Sequence, residues 1–239
     1  VFVDTRVAGY QAIVEAVSPG AQVVLIDANQ DGVHQMAQAL AGRSDIAAIH
    51  VVSHGDDGVL LVGNAPLHAG NMASYAQDLA TIGAALSPDG DIQLWGCDIG
   101  GGDTGRAFLD ALAQATGADI AASSNDTGAR AGADWTLEIT TGDVAASHAI
   151  DTAALASFQG NLATFSVSTL AQFRSAIVTA QANGENDTIT LLYDIELADS
   201  SVAVMSSDGY GALATINITD GKTLTIVGGG KSLNAYLFG

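Results

Sequence analysis

"IHVVSHGDDG" (residues 49–58) runs a β-branched stretch into Ser53-His54-Gly55, where the apolar run stops. A second stretch, "DIQLWGCDIGGG" (91–102), does the same with the chain's single cysteine, Cys97. Neither run alternates cleanly between apolar and polar residues, which is the pattern of strands buried on both faces. "VFVDT" (1–5), "QVVLID" (22–27) and "DIAAS" (119–123) have the same texture. Between these runs lie "GYQAIVEAV", "GVHQMAQALAG", "NMASYAQDLATIGAAL" and "GRAFLDALAQATG", with apolar residues at three- and four-residue spacing. In the last of these, Phe108, Leu109 and Leu112 form one stripe, and a glycine ends the pattern. Strands alternating with helices predict right-handed crossovers and an α/β fold, a mostly parallel sheet sandwiched by helices. "GVLLVGN" (58–64) is too close to the preceding strand for a crossover and reads as a small hairpin. "DWTLEITTG" (134–142) alternates and reads as an antiparallel edge strand.

The texture changes after about residue 150. The sequence divides into an α/β domain over 1–146, a linker or terminal helix over 147–163, and a β-rich segment over 164–239. In the last segment, Ile, Leu and Val alternate with Asp, Asn and Thr between glycine-rich turns, around one helical stretch at 170–184. Such rungs each leave a face for a neighbour to cover, so the segment predicts the cap and first turns of a right-handed β-helix that continues in a longer chain. The first residue is Val1 rather than Met, which also predicts a piece of something longer.

A formal net charge of −19, with only seven Lys and Arg, cannot assemble a basic face, so nucleic acid and anionic membranes are not the expected partners. No apolar run is long enough to insert in a membrane. One cysteine forms no internal disulfide. The acidity and 28 glycines suit an extracellular or bacterial cell-surface setting.

In an open parallel sheet, functional side chains collect outside the carboxyl ends of the strands. His54 and Cys97 both fall there, on strands that succeed one another apart from the hairpin. Adjacent strands lie ~4.8 Å apart, so residues just past their tips can face each other across a shared, solvent-reachable notch. An imidazole beside a thiol favours the nucleophilic thiolate and later delivers the leaving-group proton. The main-chain N–H groups of Gly55 and Cys97 are candidate oxyanion donors. Ser123, Ser124, Asn125 and Asp126 follow a strand on the same edge and are candidate substrate-binding residues, with Asp126 suited to a basic side chain.

"VVSHG" followed by "LWGCDIG" resembles the His-Gly and Gly-Cys pair of the caspase-like cysteine peptidases, the group of caspases, gingipains, clostripain and separase. Residues 1–143 more closely resemble a domain family found near the start of giant bacterial surface and adhesin-like proteins. The matching pieces are "FVDTRV", "VVLID", "IHVVSHGDDG", "LWGCDIG", "LAQATGADIAASSNDTG" and "DWTLEITTGDV". The resemblance implies a cysteine endopeptidase with Cys97 as nucleophile, His54 as acid and base, and the Gly55 and Cys97 amides as oxyanion hole. The caspase motif usually continues from the cysteine into a basic or small residue; here Asp98-Ile99 follows, which leaves substrate preference open.

The expected partner is a polypeptide, with the chain's own 144–163 stretch as one candidate. No cofactor is expected. "DANQDG" (27–32) imitates the start of a calcium loop, but its twelfth position is Gln38 where a bidentate Glu is needed, so a calcium requirement has no ligand motif behind it. Strand end plus helix cap is the preferred reading. His34, His50, His68 and His148 show no metal-ligand spacing. "GGGDTG" (100–105) lacks the lysine of a phosphate loop. The rival reading is a non-catalytic adhesion or scaffold module whose α/β domain caps the solenoid. A polysaccharide-cleaving β-helix is disfavoured because too few rungs are present to build a groove.

Overall fold

A computed structural model describes residues 1–130, 132–145, 148–158, 165–170, 172–173, 176–177, 180, 187–196 and 223–234. The chain divides into two compact units, Val1–Ala163 and Thr164–Gly239.

The first unit is built on a six-stranded sheet. Its strands in chain order are β1 (Phe2–Asp4), β2 (Val24–Ile26), β3 (Ile46–Val52), β7 (Leu86–Trp95), β8 (Asp119–Ala122) and β9 (Ile139–Thr140). Their spatial order is β2-β1-β3-β7-β8-β9, with the first five parallel and β9 antiparallel on the edge. The helices are α1 (Tyr10–Glu15), α2 (Gly32–Leu40), α3 (Ala76–Ala84) and α4 (Gly102–Thr116). Along each strand the two-residue period sends alternate side chains to opposite faces. Ile49, Val51, Ile92 and Leu94 meet α2, α3 and α4 through Met36, Leu79, Ile82, Phe108 and Leu112. Val3, Val52 and Trp95 point the other way and meet Ile13 of α1.

Local chemistry sets the helix ends. Asp31 caps α2, its carboxylate accepting from the His34 N–H at 3.1 Å, so the end of "DANQDG" is spent on a helix start. α4 ends at Gly117, which takes the left-handed conformation (φ 75°) that glycine adopts without strain.

Two elements differ from the sequence reading. The hairpin of β5 (Val59–Val62) and β6 (Ala65–His68) has a third member, β4 (His54–Asp56), giving an antiparallel sheet in the order β4-β5-β6. The chain therefore turns at Ser53 straight into a new strand. β7 also reaches back to Leu86, because a register irregularity between Ile46 and Ala48 absorbs the residues around Pro88.

Residues 148–158 run in turns over the face carrying Trp95 and bury Ile150, Leu155 and Phe158 there. A bridge from Val17 to Ile150 fixes this segment, helped by main-chain bonds Ser18 N–H to Ala149 O at 2.8 Å and Asp151 N–H to Ala16 O at 2.8 Å.

In the second unit, β10 (Phe165–Val167), β11 (Asp187–Leu191) and β13 (Leu224–Val227) form a parallel sheet, and β12 (Ile195–Glu196) pairs in parallel with β14 (Leu233–Asn234). Its core gathers Val167, Phe173, Ile177, Ile189 and Leu191. Leu170, Gln172, Phe173, Ala176, Ile177 and Ala180 are helical, within the stretch expected to be a helix. The strand residues expected at 197–204 and 214–222 lie outside the described residues.

Candidate functional site

β3 and β7 are neighbours, and the last register pair between them is Val52 with Trp95. His54 and Cys97 each stand two residues beyond a member of that pair. The main chain stays paired past the strand ends, with the Ser53 N–H donating to Trp95 O at 3.1 Å and the Gly58 N–H to Ile99 O at 3.2 Å. The backbones around both residues are nearly in contact. A Cβ placed on Gly96 would sit 2.9 Å from Ser53 O and 3.3 Å from Gly55 N. One on Gly55 would overlap the Ile99 side chain and lie 2.7 Å from Cys97 O. Gly55 thus has a packing role independent of any oxyanion: only a residue without a side chain lets β4 lie against 97–99.

The structure also brings the 123–127 segment to the same place. The Asp98 N–H donates to Asn125 O at 2.9 Å, and the Gly100 N–H to Ser123 O at 2.8 Å. The Thr127 N–H donates to Cys97 Sγ at 3.1 Å. Ser123 is wholly buried, its hydroxyl donating back to Asn125 O at 3.0 Å. Ser124 and Asn125 are bound to the Glu138 carboxylate on the β8–β9 side: Ser124 N–H at 2.8 Å and Asn125 Nδ2 at 3.0 Å. Asp126 O accepts from the Asp134 N–H at 3.1 Å. Of the four candidate substrate-binding residues, Ser123 therefore acts as a brace, while Ser124, Asn125 and Asp126 form the rim beside the cysteine.

The expected open notch differs from what is observed. Cys97 is 1% exposed and clusters with Val3, Val52 and Trp95; His54 is 7% exposed. The physical reason is the return of the 123–127 segment across the sulfur, a contact thirty residues away in sequence.

The charge around Asp98 is acidic. Asp98, held at φ 55°, has its carboxyl pushed above the ordinary range, first by burial and then by Asp126, Asp56, Asp57 and Glu138. Asp57 also accepts from the Gly105 N–H at 3.1 Å, so a carboxylate already occupies the start of α4 behind the glycine run. Among the described residues no group of three or more His, Cys, Asp or Glu is arranged to hold a metal ion.

Two features escaped sequence reasoning. The strand order reverses between β1 and β3, making their carboxyl ends the switch point of the sheet. Arg6 stands in the turn after β1, with Nε and Nη2 buried and without a hydrogen-bond partner among the described residues. Asp4 lies beside it, with Oδ1 3.9 Å from Nε. Burial pushes the Arg6 pKa down while Asp4 draws it back. The only signal in the sequence was a lone cation following a strand in a cation-poor chain. The second feature is a histidine pair on the far part of the sheet. His50 is 2% exposed and accepts from Trp95 Nε1, and Trp95 meets His148 edge-on at a 5.1 Å centroid distance. His148 Nδ1 lies 2.7 Å from Gln93 Oε1.

Comparison with known proteins gives one match: residues 1–162 fit the family described as Domain of unknown function (DUF4347), and the chain belongs to that family. No curated protein matches, and no solved structure matches.

Proposed function

We propose that the first unit is a caspase-like cysteine endopeptidase in which Cys97 is the nucleophile and His54 the acid and base. The observation that carries this reading is the equal two-residue offset of both side chains from the register pair Val52 and Trp95 on adjacent parallel strands. Cys97 Sγ passes its proton to His54 and attacks the scissile carbonyl, forming a carbon–sulfur bond. The oxyanion is received by main-chain N–H groups, with those of Gly55 and Cys97 as the candidates. Collapse breaks the carbon–nitrogen bond, and His54 delivers its proton to the departing amine. Water then attacks the thioester, giving one proton to His54, which returns it to the sulfur.

The proposed setting is a large exported bacterial surface protein, in which the parallel pairing of β10, β11 and β13 supports the start of a right-handed β-helix. The substrate is a polypeptide, either a partner or the chain's own 144–163 stretch. Self-cleavage within 148–158 would first require that segment to leave the face on which Ile150, Leu155 and Phe158 are buried.

The second reading, a non-catalytic adhesion or scaffold module, is favoured by the 1% exposure of Cys97. Intact mass over time, for the parent and for Cys97→Ala, separates the two. Processing of the parent alone is the expected result. Equal processing of both proteins, or stable mass in both together with no cleavage of added polypeptide, would leave the scaffold.

A further inference from the structure

Besides the apolar cluster of Val3, Val52 and Trp95, a loop residue covers the proposed nucleophile. Thr127 sets its main-chain N–H 3.1 Å and its carbonyl oxygen 3.8 Å from Cys97 Sγ. Thr127 is itself 1% exposed, and its hydroxyl oxygen is buried without a hydrogen-bond partner among the described residues. A buried hydroxyl left unsatisfied is costly, so the covered arrangement contains a group that gains a partner when the segment lifts into water.

Main-chain bonds to Asp98 and Asp134 hold this segment, with Asp98 N–H to Asn125 O at 2.9 Å and Gly128 N–H to Asp134 O at 2.9 Å, and three further bonds gather on one exposed side chain. Glu138 accepts from Ser124 N–H at 2.8 Å, Ser124 Oγ at 3.3 Å and Asn125 Nδ2 at 3.0 Å. Asp126, Asp56, Asp57 and Glu138 each repel the carboxylate of Asp98, and the repulsion from Asp126 and Glu138 opposes the closed packing of 97–100 against 123–127.

We propose that residues 124–127, which follow β8, are an autoinhibitory cap in which Thr127 plugs the site over Cys97 and Glu138 is a latch. The proposal rests on the reading of Cys97 as the nucleophile, and adds that the folded domain is slowed, though not silenced, by its own chain. A substrate gains the sulfur only after residues 124–127 lift. The bonds broken are those to Glu138 together with main-chain bonds to Asp98 and Asp134, all of them outside the strand ladders, so the opening is local and leaves the sheet paired.

The test compares the parent, Glu138→Ala and Glu138→Gln. Each is assayed for alkylation of Cys97 by iodoacetamide, cleavage of fluorescein-labelled casein, and thermal midpoint. Glu138→Ala is expected to alkylate about tenfold faster, a change equivalent to about 1.4 kcal/mol in the opening equilibrium, with a thermal midpoint lower by only about 3–6 °C. Glu138→Gln keeps an acceptor oxygen and is expected to stay within about twofold of the parent. Casein cleavage that rises with alkylation supports both cap and peptidase. Faster alkylation without cleavage by any form upholds the cap and removes the peptidase reading. Equal alkylation of parent and Glu138→Ala overturns the cap, whether or not casein is cut.

Discussion

Trp95 donates its indole N–H to Nδ1 of His50 at 3.3 Å, across neighbouring strands and with both residues buried. The bond places the proton of neutral His50 on Nε2. Burial first, and then nearby positive charge including His148, depress the His50 pKa from 6.5 to about 4. The folded protein therefore binds fewer protons here than the unfolded chain between those values. Stability from this residue is complete above pH 6.5 and is lost as pH falls toward 4, by about 3 kcal/mol. Urea denaturation at pH 7 and pH 4 reads the loss. His50→Gln keeps an acceptor for Trp95 and removes the titration, so its own loss over that interval should be smaller by a similar amount.

Gly55→Ala is expected to destabilise the first unit by about 1–3 kcal/mol, because the added methyl group meets the Cys97 carbonyl and the Ile99 side chain. Denaturant midpoints measure it. A neutral result would show that β4 does not press on the 97–99 turn.

Asp57→Ala removes the carboxylate that accepts from Gly105 N–H at the start of α4. α4 has no side-chain cap from its own N-cap residue, Gly101, so the loss should cost about 1 kcal/mol. Asp57→Asn keeps an acceptor and should recover most of it. The comparison is made by thermal or urea unfolding.

Phe158→Ala tests whether 148–158 is part of the folded unit. Phe158 is 5% exposed and packs on Trp135 with ring centroids 5.6 Å apart. Its truncation should cost about 3 kcal/mol and make 148–158 a site of early proteolytic nicking. Limited proteolysis followed by mass spectrometry reads both the rate and the position.

The alternation of apolar runs and helical stripes made the parallel sheet legible, and with it the placing of His54 and Cys97 at strand ends. Ser123–Asp126 could be assigned to the same edge because they follow β8. The covering of Cys97 by Thr127 was not legible, since a main-chain N–H carries no residue signature and the loop returns through tertiary packing. β4 was missed because His54-Gly55-Asp56 has no strand propensity of its own and pairs only through Val59–Leu61. The burial of Ile150, Leu155 and Phe158 was hidden among Ala, Ser and Thr, where three apolar residues show neither a helical nor a strand period.

The seating of Ile150, Leu155 and Phe158 on the Trp95 face has a consequence for how this module can be moved between proteins. A fragment ending just after β9 would keep every strand and helix of the sandwich yet leave Trp95 and Trp135 with a bare oily flank, prone to self-association. The portable genetic unit must carry its tail, in keeping with family similarity that runs on to residue 162.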